Sequence, residues 1–214
     1  MIRALAALAL LAACKAERVE IGLTGRDLAA AIAGEEVTVP FTATFAQEGR
    51  LEEDLRAKLG EVERIARRHL AVTGFEVTSS EEGWQVTVRG EAPLRASGGA
   101  GTEPWRLWLA PNAAESPPPG DWPYALALAP TPAYAALEEE IRAVDSDLVP
   151  DAHQPITFTI TATAGGFDFL AVAAEVDGEL TLMRELKTPE AATVTFASDL
   201  YERLAPTLFL RPAR

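Results

Sequence analysis

The sequence has little of what most catalytic and metal sites are built from. It contains one cysteine, Cys14, and two histidines, His69 and His153, in 214 residues. Zinc sites draw three or four ligands mainly from Cys, His, Asp and Glu, and the chain has no CxxC, HExxH or close histidine pair. It also lacks Gly-x-Ser-x-Gly, the turn that presents the serine of many hydrolases. We therefore predict a non-enzymatic protein with no cofactor and no metal.

Basic side chains are scarce as well. Lys and Arg number 19 against 32 Asp and Glu, a net charge of −13. Removal of residues 1–13 would take away only Arg3, leaving 18 basic and 32 acidic side chains, or −14. Nucleic-acid binding depends on neutralising phosphates with Lys and Arg, so we expect no nucleic-acid partner. Adhesion to anionic lipid by surface charge is disfavoured for the same reason.

The N-terminus holds the one apolar run that suggests a membrane. Arg3 is followed by alanine and leucine alone from Ala4 to Ala13. A charged start and a short apolar stretch that ends in small residues are typical of a secretory signal peptide. The run is shorter than the roughly 20 residues that a membrane-spanning helix needs.

The end of this run, Leu11-Ala12-Ala13-Cys14, resembles the bacterial lipobox. The resemblance implies that residues 1–13 are a lipoprotein signal peptide. The Cys14 thiol would receive diacylglycerol, and its new amino group would receive a fatty acid such as palmitate. An ordinary signal peptide with an unrelated cysteine is the alternative, but lipidation explains a lone cysteine without a disulfide partner. Residue 15 is Lys rather than the Asp that favours inner-membrane retention in enterobacteria, so we expect the outer membrane, facing the periplasm.

Hydrophobic periodicity predicts an α+β fold of antiparallel sheets with two main amphipathic helices. The N-terminal half, 14–95, begins with a short polar tether at 15–18, and Thr24 and Asp27 form a capping box. Apolar residues spaced three and four apart predict a helix over 50–70. Gly60 within it suggests a close contact with the sheet. Alternation then predicts a hairpin over 75–94.

The C-terminal half, 124–214, is predicted to be a second helix followed by a sandwich-like β-meander. The helix begins at Thr131-Pro132 and places Tyr134, Leu137 and Ile141 on its buried face. Four strands follow over 156–196, with tight turns at Gly165-Gly166 and Asp177-Gly178. Their alternation predicts that Phe158 and Ile160 are buried and that Thr157 and Thr159 are exposed or only lightly packed.

A Gly- and Pro-rich segment, 96–123, separates the two halves and supplies the candidate binding residues. These are the aromatic residues in and just after it: Trp105, Trp108, Trp122 and Tyr124. Such side chains bury a large area at low entropic cost, and they recur in binding surfaces. The alternative is that both halves pack these rings between them as core. A second cluster, residues 145–153, has three aspartates and His153, but it lacks the Gly and Glu positions of a calcium loop.

Four stretches carry a resemblance to a known family: the lipobox, "VEIGLTGRDL", "EEVTVPFTATF" and "AAEVDGELTLMRELKTPEAATVTFASDLYERL". Together they resemble a family of small bacterial lipoproteins, some of them encoded by phages and prophages. The family has no established activity, so the resemblance implies a cell-envelope lipoprotein and assigns no functional residue.

Two functions are open at this point. The first is a lipid-anchored, non-enzymatic protein that binds another envelope component. The second is a periplasmic carrier of a lipid or another hydrophobic ligand, since helices over curved strands can enclose an apolar groove. A hydrolase would require a Ser or Asp beside His153 in a cleft.

Overall fold

The computed structural model describes residues 15–96, 102–112, 118, 120–150, 154–161, 166–197 and 207–213. These ranges hold eleven strands, three α-helices and one 3-10 turn. The strands are β1 (Lys15–Thr24), β2 (Val37–Glu48), β3 (Ala71–Ser79), β4 (Gly83–Ala96), β5 (Trp105–Pro111), β6 (Tyr124–Pro130), β7 (Ile156–Thr161), β8 (Phe167–Val176), β9 (Glu179–Leu186), β10 (Ala191–Phe196) and β11 (Thr207–Pro212). The helices are α1 (Gly25–Ile32), α2 (Glu53–His69) and α3 (Pro132–Val144), and the 3-10 turn is Ser146–Leu148.

Nine strands form a closed sheet, so the predicted α+β sandwich is wrong. The order around the ring is β10-β7-β1-β2-β4-β5-β6-β11-β8, and pairing of β10 with β8 closes it. β3 and β9 lie outside the ring, on β4 and β8 respectively. Closure removes the free edges of an open sheet. The structure is therefore mostly β, with strands from both predicted halves in one sheet.

The predicted meander is wrong, because the strands do not pair in their order along the chain. β7 lies between β1, to which it is parallel, and β10, to which it is antiparallel. β8 and β9 do form the predicted hairpin. Their turn, Asp177-Gly178, has positive φ at both residues, 51° and 86°, as a tight hairpin turn requires.

The interior of the ring is filled by side chains. Apolar residues of every ring strand pack together there, with Phe158, Leu126, Leu208 and Leu210 fully buried. Leu28 and Ala31 of α1 join them. The predicted capping box at the start of α1 is confirmed, because Thr24 accepts from the Asp27 amide and the Asp27 carboxylate accepts from Thr24.

A second apolar cluster lies under α2 and α3. β2 and β4 contribute to both clusters from one face of each strand. Val39 and Leu94 belong to the ring interior, whereas Ala43 and Val86 belong to the cluster under the helices. Both helices lie within the predicted ranges. The predicted contact at Gly60 is wrong, since Gly60 is exposed and a Cβ added there would meet nothing within 4 Å.

The chain enters the fold without the predicted tether. β1 begins at Lys15, which is already paired with Ala46 of β2. The prediction of a free segment over 15–18 is therefore wrong. Cys14 itself lies outside the described residues.

Candidate binding surface

His69 belongs to a cluster of charged side chains at the end of α2. Nε2 of His69 lies 3.0 Å from a carboxylate oxygen of Glu140, and Arg68 also pairs with that carboxylate. These contacts, His69 first and Arg68 second, lower the pKa of Glu140. The cluster joins the end of α2 to α3. His153 lies outside the described residues.

The acidic stretch 145–153 is engaged locally where the structure describes it. Asp145 accepts from the amide of Asp147 at 2.9 Å and so caps the 3-10 turn. Nζ of Lys58 lies 3.1 Å from the other Asp145 oxygen. The amide contact, followed by the Lys58 contact, lowers the pKa of Asp145. Within the described ranges, no group of three or more His, Cys, Asp and Glu side chains is placed to hold a metal ion.

The candidate aromatic residues fall on both faces of the sheet. Trp105 is half-buried, packs against both apolar clusters and meets Tyr134 of α3 edge-to-face, with ring centroids 5.1 Å apart. Trp108 lies on the opposite face of β5, where the Arg106 guanidinium stands 4.7 Å from its ring centroid. Trp105 thus joins the two cores, whereas Trp108 is half-exposed outside the ring.

Trp122 and Tyr124 lie close to the strand pair β6–β11. Trp122 is 5% exposed, and the Arg211 guanidinium covers its ring at 4.4 Å from the centroid. Arg211 also pairs with the buried carboxylate of Asp168 at 3.1 Å and with Glu185 at 2.6 Å. Tyr124 is half-buried and packs against the ring interior. Trp122 therefore packs on an arginine that also forms ion pairs with β8 and β9.

The most exposed apolar side chains of the described residues lie on one strand. Leu180, Leu182 and Met183 of β9 are 75%, 86% and 51% exposed. Single exposed apolar residues are ordinary, but a contiguous group indicates an interaction surface. We call these three residues the β9 patch.

β9 also carries the edge of the sheet. Its described pairings are all with β8, which makes β9 an edge strand among the described strands, and an edge strand can pair with an added strand through its backbone N–H and C=O groups. The apolar patch and the edge coincide. The sequence alone does not indicate this surface, because its alternation predicts β9 as an inner strand of a meander. The available signal was Leu180-Thr181-Leu182-Met183, where apolar residues fall on both alternating faces.

β3 provides an internal comparison. It too lies outside the ring, paired only with β4 among the described strands. Its exposed positions are short or polar: Ala71, Thr73, Glu76, Thr78 and Ser79. An edge strand of this composition has no large apolar side chain to bury against a partner. Of the two strands outside the ring, only β9 exposes large apolar side chains.

Comparison with known proteins finds no match among protein-family models, curated proteins or solved structures. Within the described ranges, no helix has both the length and the apolar character needed to cross a membrane. The site therefore has to be interpreted from its own geometry.

Proposed function

We propose that this protein is a lipid-anchored component of the bacterial cell envelope that acts by binding another protein along the β9 edge. The observation that carries the binding role is the β9 patch, Leu180, Leu182 and Met183, on a strand with an unpaired side among the described strands. Strand addition at such an edge combines backbone hydrogen bonds with apolar side-chain contacts.

The lipobox at Leu11–Cys14 supports the anchor. A diacylated and N-acylated Cys14 would carry three chains, and more than one chain suffices for stable attachment. Because β1 begins at Lys15, the anchor would be joined directly to the folded body. The protein would then lie close to the bilayer and diffuse within its plane, in which its partners are also concentrated.

The carrier alternative gains no support from the ring. Its interior is occupied by buried side chains such as Phe158, Leu126 and Leu208. A ligand there would have to displace packed core, which costs several kcal/mol for each large side chain lost.

The anchor is tested by metabolic labelling with a radioactive fatty acid. Wild-type protein should incorporate label, and Cys14→Ser should incorporate none because the acceptor thiol is gone. Equal labelling of both proteins would refute lipidation at Cys14.

The binding role is tested by a photo-crosslinking amino acid placed in intact membranes. At position 182, which is 86% exposed on β9, it should yield protein adducts of defined mass. The matched control is position 73, exposed on the off-ring strand β3, which should yield none above background. Equal adducts from both positions, or none from 182, would contradict binding at β9.

A further inference from the structure

β8, the strand that pairs with β9, does not alternate regularly along its length. Ala171 and Ala174 of β8 both face the ring interior, although they are three residues apart. Ala173 between them has φ +50°, an unusual value for a residue with a side chain. This local kink shifts the alternation of β8 by one residue.

The kink is passed to β9 through the strand pairing. Arg184 lies opposite Ala171, and Thr181 lies opposite Ala174. Residues directly opposite one another in a sheet share a face. Arg184 and Thr181 are therefore on the inner-facing side.

The outward side is fixed in the same way. Leu180 pairs with the exposed Glu175, and Met183 pairs with Val172, next to the inward Ala171. Leu180 and Met183 thus share the outer face, although three residues separate them. Glu179 opposes the buried Val176 and shares the inner side with Arg184.

These faces make the edge complementary to itself. In an antiparallel pair of identical strands, related by a two-fold axis between Thr181 and Leu182, Leu180 stands opposite Met183 of the second copy. The same register sets Glu179 opposite Arg184. Each of these two pairs occurs twice by symmetry, and the two partners in each lie on one face, as a sheet requires.

We infer that the occupant of the β9 edge is a second copy of this chain, joined in this antiparallel register. The inference rests on the proposed binding role of β9 and names its partner. Charge favours the arrangement: Glu179 and Arg184 already pair within one chain at 3.0 Å, and the Glu179 side chain is 80% exposed, so the two can exchange partners across the axis. The apolar pairs remove Leu180 and Met183 from water.

Two opposing effects set the strength of the dimer. The net charge of −13 on each chain opposes association, but exposed charges are screened beyond about 8 Å at physiological ionic strength. Restriction to one membrane surface raises the local concentration of copies, as a linker does for tethered modules. We therefore expect a dimer that is favoured at the membrane and weaker in dilute solution.

The register can be tested with cysteines in the full chain. Cys14 is the only cysteine, and lipidation blocks its thiol, so in the membrane-anchored protein an introduced cysteine is the only free thiol. One tagged protein carries Leu180→Cys and a second carries Met183→Cys. Mild oxidation of the mixture should give a mixed disulfide dimer, because cross-strand partners place their Cβ atoms within about 5.5 Å of each other.

Each protein alone is the matched control. In this register, position 180 of one copy is offset from position 180 of the other by three residues, roughly 10 Å along the strand. Leu180→Cys alone should therefore cross-link at least tenfold less than the mixture. Met183→Cys alone is offset equally. Similar cross-linking in the mixture and in each protein alone would overturn the register, and no cross-linking in any sample would overturn the dimer.

Charge reversal gives an independent test in detergent-solubilised, lipidated protein. Glu179→Arg or Arg184→Glu alone would oppose like charges twice, and sedimentation should show less dimer. The double variant, Glu179→Arg with Arg184→Glu, should restore it. Failure of the double variant to recover would contradict the pairing. If the dimer is absent while position 182 still yields adducts with another protein, the self-pairing inference falls and the proposed binding role stands.

Discussion

Phe158 of β7 lies at the centre of the closed sheet, and its truncation should destabilise the whole ring. Its side chain is 0% exposed and meets Phe196 edge-to-face at a centroid separation of 6.0 Å. Ile21 and Val194 stand opposite it on the neighbouring strands. Phe158→Ala removes most of a buried ring in a site walled by three strands.

The expected cost follows from that enclosure. Phe→Ala in a packed core costs about 3–5 kcal/mol, and the lost contact with Phe196 adds an aromatic term of about 0.5–1.5 kcal/mol. Because β1, β7 and β10 are held in register on both sides, the site has little freedom to collapse. We therefore expect a loss near the upper end, about 4–5 kcal/mol.

Urea unfolding of the Cys14→Ala protein, followed by far-UV circular dichroism, measures this loss. Two variants on the same strand serve as controls. Thr159→Ala, at a half-exposed position, should cost well under about 1 kcal/mol. Thr157→Ala should cost about 1–3 kcal/mol, because Thr157 is buried and its hydroxyl lies 2.9 Å from that of Thr195. Equal losses for Phe158→Ala and Thr159→Ala would refute the assigned faces of β7.

Two further predictions concern the helices and the tryptophans. The pKa of Glu140 is lowered in the fold by His69 and Arg68, so its contribution to stability is present above the unfolded pKa and is lost as pH falls through the folded pKa. Glu140→Gln should lower the urea midpoint at about pH 7 and lower it less at about pH 3. An equal effect at both values would show that charge is not involved. In single-tryptophan variants, acrylamide should quench Trp108 more strongly than Trp122, since Trp122 is 5% exposed beneath Arg211. Equal quenching would contradict the assigned burial.

Local features of the fold were predictable because the residues that determine them are close in sequence. The capping box needs only Thr24 and Asp27, and the β8–β9 turn needs only Asp177-Gly178. Each encodes a specific backbone conformation within two or three residues. The ranges of α2 and α3 follow similarly from apolar spacing along one helix.

The closed sheet was not predictable in this way. Its decisive contact is the parallel pairing of β1 with β7, in which Ile21 meets Phe158 across more than a hundred residues of chain. Alternation of apolar residues determines the faces of a strand and carries no information on its neighbours. Thr157 shows the consequence: it was predicted to be exposed or only lightly packed, but it is buried beside Thr195 of a strand that was not expected next to β7.

The candidate site was only partly accessible for a related reason. Trp105 and Trp122 were noted for their chemistry, but their contacts with Tyr134 and Arg211 join elements far apart in sequence. The β9 patch depends on β9 being outside the ring, which only the full topology reveals.

The contrast between β3 and β9 is the strongest argument that the β9 patch has a use. Both strands lie outside the closed ring, and both expose an edge that can template unwanted pairing. Proteins suppress such pairing with polar or charged side chains, and β3 follows this rule with Thr73, Glu76 and Thr78. β9 instead exposes Leu180 and Leu182 at 75% and 86%. Burying either side chain against a partner would recover roughly 1.5–3 kcal/mol, whereas a polar residue there would recover little. This difference between the two strands supports the proposal that β9, rather than β3, contacts a partner.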